Sequence, residues 1–146
     1  MAEVKGCQLP EDVYYWPEKH VWARLEDDGT VKIGMTDIAQ FLAKSIVSVT
    51  PRGVGKKLKR GKSVGTVESG KWVGPVTTPV SGEVLEVNDE VLSNPRLINS
   101  DPYGEGWVVR IQPADWESEK AELVIGDTGV EAYRQFLDTE GISCLE

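Results

Sequence analysis

Lys71 is the residue in this chain best placed to do chemistry. It lies between two apolar-rich runs, Val64 to Val67 and Trp72 to Val76, which flank the pair Gly70-Lys71. A two-residue loop between such runs reads as a β-hairpin, and glycine at its first central position suits a type II′ turn. The Lys71 ammonium then stands at an exposed tip; the hairpin alone reads most simply as a solvated turn lysine. Other reactive groups are few. His20 is the only histidine, so histidine-based acid–base work is confined to it, and it reads first as a packed or surface side chain. Cys7 and Cys144, the only cysteines, lie near opposite ends of the chain. In a cytosolic protein such thiols are usually free; a regulatory disulfide requires the termini to meet. No Cys/His grouping has metal-ligand spacing. No acid/base or nucleophile constellation points to a hydrolase or oxidoreductase acting alone.

A run of basic residues precedes the hairpin. Arg52, Lys56, Lys57, Lys59, Arg60 and Lys62 occur with no acid between them. Removing these six positive charges from the net charge of -8 leaves -14 on the remainder. So polarised a distribution can orient a partner, with Lys56, Lys57, Lys59 and Arg60 as its central charges; the plainer reading is a solvated loop. The acidic balance disfavours nucleic acid as a general partner.

The elements that must position these groups are short. With 146 residues, 15 glycines and 8 prolines, the chain reads as one turn-rich, mainly β domain. No apolar run approaches membrane-spanning length, and the start, Met1 to Gly6, lacks an apolar signal core, so a cytoplasmic location is expected. Cys7 to Lys19, rich in aromatics, reads as a lead-in laid over the body. His20 to Leu25 and Val31 to Met35 are β-runs joined through Asp28-Gly29, a hairpin signal. Thr36 looks like an N-cap for a short helix ending near Ala43, with Ile38, Phe41 and Leu42 at helical spacing. Strands follow from Ile46 to Val49, at Gly82 to Val87 and at Trp107 to Ile111. In the tail, Asp115 to Val124 has a short helical signal. Thr128-Gly-Val-Glu131 resembles a capping box for a helix whose apolar face is Val130, Tyr133, Phe136 and Leu137, with Gly141 as its stop.

Three stretches together resemble the glycine cleavage system H protein family. Glu68-Ser69-Gly70-Lys71, followed by Pro79 to Val84, resembles the family's lipoyl-attachment segment. Asp101-Pro-Tyr-Gly-Glu-Gly-Trp107 resembles a loop of that family; Pro102, Gly104 and Gly106 set its turns, and Tyr103 and Trp107 read as its anchors to the core. Ile33 to Gln40 resembles its strand–helix passage. The resemblance implies a lipoyl/biotinyl-type flattened β-barrel, a hybrid of two β-halves, with short helices and a C-terminal helix. The whole chain, 1–146, would be a single carrier domain, its core at about 20–111 and a helical extension at about 113–141. Lipoic acid would be attached to Lys71, with Glu68, Ser69, Gly70 and Trp72 flanking it. The protein would be a carrier and covalent substrate rather than an enzyme, modified by a lipoate ligase or lipoyltransferase. A cysteine thiol meeting the arm is a further role for Cys7 or Cys144 if the termini lie close together.

Departures from the family bear on the cargo. His20-Val21-Trp22 stands where members typically have His-Glu-Trp, and Pro75 stands four residues after the lysine where an Asp is common. Gly70 and Trp72 also differ from the usual neighbours. The segment Glu68 to Pro75 is closer to the H-like lipoate-binding proteins of sulfur oxidation, which work with a heterodisulfide-reductase-like complex and sulfurtransferases. On that likeness the sequence reading leans to a sulfur carrier. The alternative is the glycine cleavage carrier of an aminomethyl group, serving glycine decarboxylase, aminomethyltransferase and dihydrolipoyl dehydrogenase. A non-lipoylated binding module of the same fold is the second alternative.

Overall fold

Alternating apolar and polar residues build two facing antiparallel sheets in the computed structural model, which describes residues 1–145. In chain order the strands are β1 (Ala2–Val4), β2 (Cys7–Leu9), β3 (Tyr14–Trp16), β4 (Val21–Leu25), β5 (Val31–Met35), β6 (Ile46–Pro51), β7 (Lys57–Leu58), β8 (Ser63–Ser69), β9 (Val73–Thr77), β10 (Gly82–Val87) and β11 (Val109–Pro113). The α-helices are α1 (Asp37–Ala43), α2 (Asp89–Ser93), α3 (Leu97–Ser100), α4 (Trp116–Glu119) and α5 (Gly126–Glu140). One sheet has the order β3-β4-β5-β11-β10-β7, the second β6-β8-β9, and β1-β2 form a separate hairpin. This is the mainly β, flattened barrel with short helices and a C-terminal helix that the sequence leads one to expect.

The core between the sheets follows from strand alternation. In β5, Val31 and Ile33 are fully buried while Lys32 between them reaches the surface. They meet Val64, Val67 and Val76 from β8 and β9 across the interior. Ile46 at the start of β6 and Val84 and Ile111 from the β10–β11 pair complete the layer. α1 closes one side. Thr36 caps it, its Oγ1 accepting the Ala39 N–H at 3.3 Å, an interaction that contributes about 1 kcal/mol. Ile38, Ala39 and Ala43 are buried beneath the helix.

The N-terminal segment is more structured than a lead-in. Tyr14–Trp16 pairs with β4 as an edge strand, Tyr15 opposite Trp22, so the large sheet begins ahead of His20. A second core lies behind it, formed by Leu9, Tyr15, Trp22, Ile38, Tyr103, Tyr133 and Leu137. α5 begins at Gly126, two residues before the expected capping box, and Thr128 lies inside it. Backbone bonds upstream fix this start. Val124 exchanges hydrogen bonds with Tyr15 at 2.8 and 3.1 Å, and the Gly126 N–H donates to the Glu11 carbonyl at 3.2 Å. The expected apolar face of α5 does pack inward through Val130, Tyr133 and Leu137, and Gly141 ends the helix at φ +68°.

The expectation of free thiols is corrected. After α5 the chain returns to the β1–β2 hairpin, and Cys144 forms a disulfide with Cys7, their Cα atoms 5.1 Å apart. The Cys144 N–H donates to the Lys5 carbonyl at 2.9 Å. Gly6, at φ +81°, leaves room for Leu145; a Cβ there would lie 2.7 Å from its Cδ2.

Candidate functional site

The β8–β9 hairpin presents Lys71 at its tip, beyond the last ladder pair, Glu68 with Val73. The turn is not the expected type II′, because Gly70 does not take the left-handed φ that this turn requires. Ser69 organises the loop instead. Its N–H donates to the Trp72 carbonyl at 2.7 Å, and its Oγ accepts the Lys71 N–H at 3.4 Å. Ser69 is buried, whereas Glu68, Gly70 and Lys71 are exposed. No other part of the fold lies within 4 Å of the position a Cβ would take at Gly70. Lys71 has no ion-pair partner among the described residues. Its amine therefore stands free in solvent at the tip.

Trp72 is 39% exposed, and its indole lies over Gly74, where a Cβ would overlap the ring. The indole forms one wall of a cleft of about 240 Å³. Lys19, His20, Val21, Met35, Ala39, Leu42, Ala43, Pro75 and Val76 complete the lining. The fold thus brings together three positions singled out in the sequence, Val21, Trp72 and Pro75. It adds a set that the sequence reading missed. Ala39, Leu42 and Ala43 sit at i, i+3 and i+4 of α1 and so share one face. That spacing was the available signal, but it reads equally well as plain core packing. Among the described residues no carboxylate lines the cleft, and the one cation in its wall is Lys19.

His20 sits at the cleft edge, after the short 3-10 turn Pro17–Lys19, with a left-handed φ of +56°. Its Nδ1 lies 2.6 Å from the Tyr133 hydroxyl, which is 2.9 Å from Thr36 Oγ1. Burial lowers the His20 pKa and favours the neutral ring. Burial also pushes the Tyr133 phenol well above its ordinary value, so this hydroxyl stays protonated. The three groups tie the β4 entrance, the α1 cap and α5 together.

The loop Asp101 to Trp107 serves as a structural clamp. Tyr103 is buried; its hydroxyl accepts the Asp37 N–H at 2.9 Å and donates to the Gln8 carbonyl at 2.8 Å. Trp107, the other expected anchor, is half-buried with Lys32 over its ring. The basic run lies elsewhere. Lys56, Lys57 and Lys59 are exposed, but the Arg60 guanidinium stacks 3.8 Å from the Trp16 ring centre and its Nε donates to the Pro79 carbonyl at 3.1 Å. Arg60 is thus engaged in packing. Among the described residues, no cluster of His, Cys, Asp or Glu is arranged to hold a metal ion, and no helix is long and apolar enough to cross a membrane.

Comparison with known proteins places this geometry. A model of the glycine cleavage H-protein family matches residues 13–139. Glycine cleavage system H protein 5 of Aquifex aeolicus is 47% identical, over 99% of both chains. A probable glycine cleavage system H protein 2 of Sulfurisphaera tokodaii is 42% identical over 99% of this chain and 98% of its own length. The crystal structure of a glycine cleavage system H protein from Mycobacterium marinum superposes with a TM-score of 0.73 at 30% identity, over 92% of this chain and all of that one. With a family match across most of its length and relatives that align end to end, this chain belongs to the glycine cleavage H-protein family.

Proposed function

We propose that this chain is the lipoyl carrier of a glycine cleavage system, with lipoate joined by an amide to Lys71 Nζ. The observation that carries this reading is the exposed Lys71 at a hairpin tip, next to an apolar cleft. Proteins of this family are lipoyl carriers rather than catalysts. Lipoate supplies a two-electron dithiol–disulfide couple on a tether, which makes each encounter with a partner local. The chain's own residues have three tasks. Ser69 holds the tip in shape for a lipoate ligase or lipoyltransferase. Trp72 and Leu42 offer apolar surface to an arm that folds back, over a floor that includes the buried Val21 and Met35, at roughly 25 cal/mol for each Å² removed from water. The buried His20–Tyr133–Thr36 bonds keep the cleft wall in place. The partners under this reading are glycine decarboxylase, aminomethyltransferase and dihydrolipoyl dehydrogenase.

One observation favours a second reading of the cargo. Val21 and Pro75 give the cleft no carboxylate, and Lys19 adds a positive charge to its wall. A cationic aminomethyl group would enter unpaired, which is costly in an apolar site. A sulfur cargo, exchanged with a heterodisulfide-reductase-like complex, makes no such demand.

Both readings require the arm, so its attachment is tested first. Intact mass after expression in lipoylating cells should show one lipoyl increment on the wild type and none on Lys71→Arg. An increment that survives in Lys71→Arg moves the site to another lysine. Its absence from the wild type leaves a binding module without lipoate. Lipoylated protein with its arm oxidised is then offered glycine decarboxylase with glycine and, separately, with its arm first reduced to the dithiol, a persulfide donor. Aminomethyl adducts support the first cargo; sulfur adducts without aminomethyl loading support the second.

A further inference from the structure

The basic loop is held rigidly although its charges are free. Arg52, Lys56, Lys57, Lys59 and Lys62 are exposed and have no ion-pair partner among the described residues. Their backbone is pinned to the barrel. The Arg52 N–H donates to the Val64 carbonyl at 2.8 Å, and the Gly55 N–H to the Val84 carbonyl at 2.8 Å. Val84 and Thr78 donate in return to the Lys56 and Lys62 carbonyls at 2.9 and 2.7 Å. The Arg60 N–H donates to Ser81 Oγ at 2.9 Å, while its side chain is packed on Trp16. Amid these charges Val54 is 67% exposed. The loop is thus a fixed frame that holds unpaired charges and one exposed apolar side chain in a set arrangement.

We infer that the 52–62 loop is a docking surface for an acidic rim beside the active-site mouth of an enzyme that processes the Lys71 arm. The inference rests on the reading of Lys71 as the attachment point and of the glycine cleavage enzymes as the partners. Charge supplies the first argument. The rest of the chain carries -14, so an acidic partner is repelled except where it meets this loop, which fixes its orientation. Rigidity supplies the second, since pre-ordered backbone lowers the entropy cost of association. Dimensions supply the third. The loop enters β8 at Ser63 and the tip leaves it at Ser69, so charges and lysine are separated by roughly 20 Å along the strand. A standard interface covers about 800 Å² on each partner, roughly 30 Å across, and so spans both. The loop holds the partner while the tip remains free to enter its active site.

The test is binding of the full chain to glycine decarboxylase, aminomethyltransferase and dihydrolipoyl dehydrogenase from the same source, each measured at low and at physiological salt. Three forms are compared with the wild type: Lys71→Arg, the quadruple variant Lys56→Gln, Lys57→Gln, Lys59→Gln and Lys62→Gln, and the corresponding Lys→Arg quadruple. Arg60 is spared because it packs. The glutamine form should bind at least one enzyme about ten-fold more weakly at low salt and lose most of its salt dependence. The arginine form should bind that enzyme like the wild type, and Lys71→Arg, which lacks the arm, should keep the salt dependence that the glutamine form loses. If the wild type binds none of the three, or the glutamine form binds all that it does within two-fold, the inference is overturned. Competition by a single-stranded oligonucleotide at stoichiometric concentration would also overturn it, in favour of nucleic acid. Failure of the Lys71 reading shows separately, as a wild type lacking the lipoyl increment.

Discussion

His20 packs against the Tyr133 ring and lines the cleft, so its charge state matters both to the fold and to whatever enters beside it. Burial lowers its pKa in the folded chain, whereas in the unfolded chain the imidazole titrates near its ordinary value. The unfolded chain therefore binds more protons below that value, and stability rises with pH. The contribution of neutral His20 is complete above the ordinary imidazole range and is lost as pH falls through it. We expect the melting temperature of the wild type to drop more steeply between pH 7.5 and pH 5 than that of His20→Gln. Parallel profiles would show that burial of this ring does not penalise its charged form. Residues that are legible in sequence are those whose type is unusual for their place. Val21 and Pro75, which stand where the family resemblance leads one to expect acids, are of that kind, whereas Lys71 drew notice only through the motif around it. The role of His20 was not legible, since its partner Tyr133 lies 113 residues away.

At the scale of elements, the hairpin shows what a pattern carries and what it omits. Its strands followed from alternation, but its turn did not, because the Ser69 hydroxyl replaces the turn geometry that Gly70 alone suggests. Helix α1 was readable at both ends through the Thr36 cap and apolar spacing. The strands β1, β2 and β3 were not, because three residues are too few to show an alternation. Within the hairpin, Gly74 is required by the close approach of the Trp72 indole. Gly74→Ala should push that ring off the strand with little change in fold, since the part-exposed indole can swing into solvent while the strand is held by its ladder to β8. Acrylamide quenching of tryptophan fluorescence should rise in Gly74→Ala, and the increase should vanish in a Trp72→Phe background. Unchanged quenching would mean that the strand, not the indole, yields to the new methyl group.

The whole molecule is closed by its ends. The β1–β2 hairpin, α5 and the C-terminal tail share one core, and the Cys7–Cys144 bond fastens it. This closure was hidden in the sequence because it joins residues 137 apart through a turn of chain that no local pattern announces. Cys7 is fully buried, so a thiol in solution reaches the bond only from the Cys144 side or after the tail opens. Cross-links that close so long a loop restrict the unfolded chain most; the chain-entropy estimate is about 5 kcal/mol, with measured effects nearer 2–4 kcal/mol. For a chain of this size that corresponds to a fall of roughly 5–15 °C in melting temperature when the bond is removed. Cys144→Ser should show this fall against the oxidised wild type, and the wild type melted in excess dithiothreitol should match the variant. The barrel core, which neither cysteine enters, should keep its far-ultraviolet circular dichroism at 25 °C in both cases. An oxidised wild type that melts with Cys144→Ser would show that the tail is held by packing alone, through Leu145 over Gly6 and the bonds to Lys5, and that the bond adds no stability.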